Sequence, residues 1–166
     1  VLPLTARGYG SDTTGAAIGK GLIINTTAHL DTIIHIALKD KEKFVHVQPG
    51  VNFKTLNDTL NWHGLYVPVT PDTAAYSTVG GAVANNTSGQ LSGVNGQIVD
   101  YVSRLEVVLA NGDLIETTRL SRKDVSKKIG LQTFEGEIYR KLDGIIEDNQ
   151  EAIAKIASYP TDNAGY

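Results

Sequence analysis

Two glycine-rich stretches hold the residues best suited to chemistry. The first, ArgGlyTyrGlySerAspThrThrGlyAlaAlaIleGly, runs from Arg7 to Gly19. Closely spaced glycines let consecutive main-chain N–H groups turn toward one point, because no Cβ blocks positive φ or the approach of a phosphate. Ser11, Thr13 and Thr14 add hydroxyl donors. Arg7 either brings charge to the loop or holds it in place through carbonyl contacts, and a turn with no ligand is the alternative for the whole stretch. The spacing excludes the better-known phosphate loops: Gly8 and Gly10 give GxG, but Thr13 stands where GxGxxG needs its third glycine, and no GxxxxGK[ST] occurs.

The second stretch, from Pro71 to Gln90, reads ProAspThrAlaAlaTyrSerThrValGlyGlyAlaValAlaAsnAsnThrSerGlyGln. Ser77 or Thr78 suits the cap of a short helix beginning near Val79, whose first N–H groups are expected to be unpaired and positively polarised. Gly80, Gly81, Ala82 and Ala84 are small, so a flat ligand could lie against the backbone; close helix packing is the other use of such residues. Asn85 to Gly89 is polar and turn-prone. Two separate concavities, for anions and for flat groups, suit one elongated ligand with a pyrophosphate and an aromatic ring system, and a dinucleotide such as FAD fits.

The elements that must position these stretches follow from hydropathy period and turn residues. Leu22 to Asn25, Ile33 to Leu38 and Phe44 to Val47 read as strands. Phe53, Leu56 and Leu60 recur at helical spacing between a candidate cap at Asn52 and a candidate stop at Gly64. Val99 to Leu109 and Leu114 to Thr118 flank Asn111-Gly112, the signature of a hairpin turn. Beyond Ser121, Ile138, Leu142, Ile145, Ile146, Ile153 and Ile156 recur at helical spacing up to Pro160, and the closing ThrAspAsnAlaGlyTyr is loop-like. The expected fold is therefore α+β, a mixed or antiparallel sheet flanked by helices.

Composition narrows the classes. The 166 residues are 41% hydrophobic and 20% charged with a net charge of -3, which fits one globular, soluble domain and offers no field for a polyanion, so nucleic-acid binding is not expected. With no cysteine, thiol chemistry, disulfides and cysteine-ligated metals are excluded within this chain. No apolar run reaches the length of a membrane span. The four histidines, His29, His35, His46 and His63, lie outside both glycine stretches at spacings that match no metal motif, so no metal is expected. Without methionine, Val1 is not an initiator, and the chain reads as a fragment incomplete at both ends.

Taken as a set, in this order and spacing, the motifs resemble the PCMH-type FAD-binding domain of flavoenzymes of the vanillyl-alcohol-oxidase and D-lactate or glycolate dehydrogenase type. ArgGlyTyrGlySer resembles its first pyrophosphate loop, and ProAspThr with SerThrValGlyGlyAlaValAlaAsnAsnThrSerGly its second flavin segment. Gly93 to Asn111 resembles its glycine-then-hairpin stretch. The resemblance covers Leu2 to Thr118, giving a flavin-binding core over 2–118 and a helical extension over 119–166, with the substrate domain absent. It implies that Arg7, Gly8, Tyr9, Gly10, Ser11 and Asp12 surround the pyrophosphate and that Pro71 and Asp72 lie along the flavin or its ribityl chain. Thr78, Val79, Gly80 and Gly81 would bind phosphate or ribityl oxygens, Asn85, Ser88 and Gly89 would approach the isoalloxazine, and Ile98 and Val102 the adenosine end. Some relatives attach the flavin covalently through a histidine in the first loop; Ser11 holds that position here, so non-covalent FAD is implied.

The expected function is the FAD-binding part of an oxidoreductase that oxidises a small 2-hydroxy acid by hydride transfer to flavin, inactive as this fragment alone. Its catalytic residues and substrate contacts are expected outside this chain, an iron–sulfur domain or subunit is a candidate partner, and the location is cytoplasmic, with the whole protein peripheral to the inner membrane as a variant. The alternatives are a non-catalytic flavin- or nucleotide-binding module, or an enzyme like UDP-N-acetylenolpyruvoylglucosamine reductase, against which the order of the second segment speaks.

Overall fold

The computed structural model describes residues 2–39 and 43–156, so the closing ThrAspAsnAlaGlyTyr lies outside the described residues. They divide into two compact units, one running to Tyr101 and the other beginning at Val102.

In the first unit β1 (Leu4–Arg7) and β2 (Leu22–Asn25) pair in parallel, Leu4 opposite Leu22, and the whole first glycine stretch is the connection between them. β3 (Ile33–Ala37) and β4 (Phe44–Val47) pair antiparallel, with a register irregularity between Ile33 and His35. Pro49-Gly50 then turns the chain into α1 (Phe53–Asn61). Asn52 caps α1, its side-chain oxygen accepting from the Thr55 N–H at 3.1 Å. Gly64, at φ +68°, ends it: Leu65 N–H donates to the Leu60 carbonyl and Gly64 N–H to Asn61, the paired bonds of a left-handed helix stop.

The inward face of α1 builds the core. Leu56 and Leu60 bury with Val51, and Ile33, Ile36, Val45, Val47, Leu65, Val67 and Val79 pack against them. Each fully buried aliphatic side chain of this kind contributes roughly 1.5–3 kcal/mol. The β1–β2 ladder is different, with Leu4, Leu22, Ile23 and Ile24 all exposed. After the core come two short helices, α2 (Val79–Ala84) and α3 (Ser92–Asn95). Ile98–Asp100 is a 3-10 turn, closed by Gln97 N–H donating to the Asp100 carboxylate at 3.0 Å. The strand expected from Val99 therefore starts only at Arg104: the local Gln97–Asp100 bonds hold the intervening backbone in a turn.

The second unit opens with the hairpin of β5 (Arg104–Val108) and β6 (Leu114–Thr118), antiparallel and in register from Arg104↔Thr118 to Val108↔Leu114. Gly112 sits at φ +90° in its turn, and the Asn111 side chain accepts from Asp113 N–H at 3.0 Å. Three helices follow: α4 (Arg122–Ile129) capped by Ser121, α5 (Phe134–Asp148) capped by Thr133, and α6 (Gln150–Lys155). α4 and α5 are tied by Lys128 to Glu135 at 2.5 Å and by Arg140, which donates to the Ile129 and Leu131 carbonyls. Asn149 separates α5 from α6, its side-chain amide donating back to the Ile145 carbonyl at 2.7 Å.

The architecture is α+β, its sheet content expressed among the described residues as three two-stranded ladders, one parallel and two antiparallel. No helix of the described residues is long and apolar enough to cross a membrane.

Candidate functional site

The first glycine stretch leaves β1 at Arg7 with its first main-chain donors free. Among the described residues, the main-chain N–H groups of Tyr9, Gly10, Ser11, Asp12 and Thr13 donate to no acceptor. Gly10 sits at φ +75°, and a Cβ there would come within 2.6 Å of the Arg7 guanidinium carbon. The guanidinium therefore lies flat against Gly10, inside its own loop, and pairs with no carboxylate among the described residues. The Arg7 carbonyl accepts the Thr26 hydroxyl at 3.2 Å, which anchors the loop's entrance to the turn that follows β2. No bond from the Arg7 guanidinium to a carbonyl or carboxylate is found among the described residues, and the main-chain carbonyl alone ties Arg7 to Thr26.

Asp12 turns the other way. One of its carboxylate oxygens accepts from Thr14 N–H at 3.0 Å, Thr14 Oγ1 at 2.8 Å and Ala16 N–H at 2.9 Å, the arrangement of an Asx turn. The Thr14 hydroxyl first, then the Ala16 amide, hold this carboxyl below the ordinary carboxylate range.

The two stretches meet. A Cβ on Gly8 would come within 2.8 Å of Thr78 Cγ2 and closer still to its hydroxyl, so the first loop packs directly on the cap residue of α2. Thr78 is buried, and its hydroxyl accepts from Gly81 N–H at 3.1 Å. Asn52 bridges to Thr78 as an isolated strand pair, which brings the starts of α1 and α2 together.

The first amides of α2, expected to be unpaired, are not. Val79 N–H donates to the Val51 carbonyl at 2.9 Å, Gly80 N–H to the Pro49 carbonyl at 2.8 Å and Gly81 N–H to Thr78. The physical reason is that the Pro49–Val51 turn runs alongside the helix start and points its carbonyls at it. Gly80 is small for the same reason, since a Cβ there would lie 2.6 Å from the Pro49 side chain. Here the packing use of small residues prevails.

Elsewhere in the second stretch Pro71 is buried and Asp72 exposed. Asn85 closes α2, and Asn86, at φ 45°, turns the chain. The turn is pinned by Ile98 N–H donating to the Thr87 carbonyl at 2.9 Å and by the Asn86 side chain, which bonds Gln97 and Val99 N–H. Ser88 and Ile98 are buried, and Gly89 sits at φ +67° with its α-carbon against the Thr70 carbonyl. Within the first unit, Gly8 thus meets Thr78, and Ile98 is bonded to Thr87. Val102 is half-buried at the start of the second.

One feature had no signal in the sequence. A cleft of about 350 Å³ opens beside Tyr9, lined by Thr27, Asp31, Asn52 and Thr55 together with Ile33 and the Gly50-Val51 turn. Tyr9 carries a sequence signal as a loop residue, Ile33 as a strand start and Asn52 as a helix cap; Thr27, Asp31 and Thr55 carry none, and they come together because the turn after β2, the start of β3 and the start of α1 converge there. His35 packs edge-on to Phe44, and no three His, Asp or Glu residues among those described gather around a common metal position.

Comparison with known proteins agrees with this geometry. The model of a family described as an FAD binding domain matches residues 1–118. Over 128 residues the chain is 33% identical to a D-2-hydroxyglutarate dehydrogenase of Haemophilus influenzae, covering 77% of this chain and 12% of that protein. Over 162 residues it is 34% identical to the glycolate oxidase subunit GlcD of Bacillus subtilis, covering 96% of this chain and 33% of that one. The chain thus spans a third or less of these relatives' length. Its fold is shared with the carbohydrate oxidase from Microdochium nivale at a TM-score of 0.59 and 24% identity, over 75% of this chain and 26% of that one. With residues 1–118 matched, the chain belongs to the FAD binding domain family.

Proposed function

We propose that this chain is the FAD-holding part of an oxidoreductase that oxidises a small 2-hydroxy acid of the D-lactate or glycolate kind. The observation that carries the reading is the donor set of the first loop: five consecutive free amides and an unpaired guanidinium beside them. Such a set fits a pyrophosphate, whose negative oxygens accept charge-assisted hydrogen bonds. The names of its relatives, D-2-hydroxyglutarate dehydrogenase and glycolate oxidase subunit, support the hydroxy-acid class.

In this reading Arg7 to Asp12 surround the pyrophosphate. Pro71 and Asp72 lie along the ribityl chain. Thr78 to Gly81 support the ligand by contact, because the Val79, Gly80 and Gly81 amides already donate within the chain. Asn85, Ser88 and Gly89 face the ring system, and Ile98 and Val102 the adenosine. FAD is held without a covalent bond, Ser11 standing where a linking histidine would be. When bound, FAD accepts a hydride at N5; this chain's residues bind and orient it. Residues 2–118 are the flavin core and 119–166 a helical extension, and the substrate and its proton acceptor are handled by a further domain of the whole protein. An iron–sulfur domain or subunit takes the electrons, and the protein works in the cytoplasm, at or near the inner membrane.

Purified full-length protein is expected to show the flavin absorbance bands and to bleach on addition of a 2-hydroxy acid. A full-length preparation that carries no flavin and takes up none when FAD is added overturns the proposal. Flavin that stays oxidised with every 2-hydroxy acid overturns the substrate class and leaves a flavin-binding module.

A further inference from the structure

We infer that Asp12 is a positioning residue that keeps the first loop open to an anion by holding its own carboxylate away from Arg7. The inference rests on the FAD reading for the identity of that anion. Arg7 and Asp12 carry opposite charges within one short loop, yet no ion pair joins them among the described residues. A pair there would neutralise the only cation of the loop and set a carboxylate where phosphate oxygens must sit. Thr14 N–H, Thr14 Oγ1 and Ala16 N–H prevent this by converging on one Asp12 oxygen at 2.8 to 3.0 Å. The Asx turn they close also fixes the backbone just after Ser11, so that the amides of Tyr9 to Thr13 stay free of internal acceptors. The Asp12 carboxylate in this account does not touch the ligand; only the residue's main-chain N–H faces it. It acts through residues 14 to 16, and what it needs is an acceptor oxygen, not a charge.

The test uses the full-length protein stripped of flavin, with FAD dissociation constants measured by quenching of flavin fluorescence for wild type, Asp12→Ala and Asp12→Asn. Asp12→Ala is expected to weaken FAD binding about tenfold, equivalent to about 1.4 kcal/mol. Asp12→Asn keeps an acceptor oxygen for Thr14 and Ala16 and is expected to stay within about threefold of wild type, gaining relative affinity at low salt where repulsion between carboxylate and phosphate is least screened. Hydrogen exchange at residues 9–16 of the flavin-free protein should quicken in Asp12→Ala and not in Asp12→Asn. Equal affinity of Asp12→Ala and wild type overturns the inference, and so does an Asp12→Asn as weak as Asp12→Ala, since the charge itself would then be what matters. Inorganic pyrophosphate is the second probe. A wild type that protects its loop amides with pyrophosphate but takes no FAD sinks the FAD reading, and the same variants titrated with pyrophosphate then decide on Asp12. If it takes neither, both fall.

Discussion

The two glycine stretches look alike in composition and do opposite things with their backbones. In the first, positive φ at Gly10 turns the chain so that five consecutive amides face no protein acceptor. In the second, Gly80 exists so that α2 can start against Pro49, and the amides that a bare helix start would offer donate to Pro49, Val51 and Thr78. Glycine at position 10 thus goes with free donors, and glycine at position 80 with backbone packing. The difference lies in what runs alongside: only the helix start has a neighbouring turn whose carbonyls reach it.

Substitutions separate the two roles. The largest effect is expected from Gly10→Val, where a β-branched residue would have to adopt positive φ against the Arg7 guanidinium. FAD affinity of the full-length protein should fall about a hundredfold or more, about 2.7 kcal/mol, with a smaller loss of stability than Gly80→Val causes. Gly80→Val should do the reverse, lowering stability by about 2 kcal/mol through overpacking on Pro49, as read by urea unfolding. If Gly80→Val leaves stability intact and abolishes flavin binding, the contrast between the stretches is wrong.

Arg7→Ala should weaken FAD binding by about 1.5 kcal/mol or more and flatten its salt dependence, because a charge-assisted contact to phosphate is removed; isothermal titration at two ionic strengths reads both. Thr78→Val removes the oxygen that accepts from Gly81 N–H and should cost about 1 kcal/mol of stability, measurable by thermal unfolding. The smallest effect is on acidification. The folded-state pKa of Asp12 is lowered, so the support it gives its turn is complete above the unfolded value of about 3.9 and is lost as pH falls through the lower folded value. Carbon NMR of the Asp12 carboxyl should titrate below that unfolded value in wild type, and Thr14→Val should move the midpoint back up.

Most of the local structure was legible because its causes are local. The Asn52 cap, the Gly64 stop and the Asn111-Gly112 turn each depend on a side chain or a φ preference within five residues. The late start of β5 was missed because Val99 has a strand-like side chain while Gln97 and Asp100 close a turn around it. The break at Asn149 was missed because Asn is tolerated in helices until its amide finds a carbonyl of the preceding turn.

The sequence alone determined that two flexible, donor-rich stretches exist, what chemistry their residue types allow, and which family pattern they follow, since those depend on composition and order along the chain. Only the tertiary structure decided which amides remain free. An N–H is available or occupied according to the carbonyl nearest to it in space, and for α2 those carbonyls come from Pro49 and Val51, some thirty residues away in the chain.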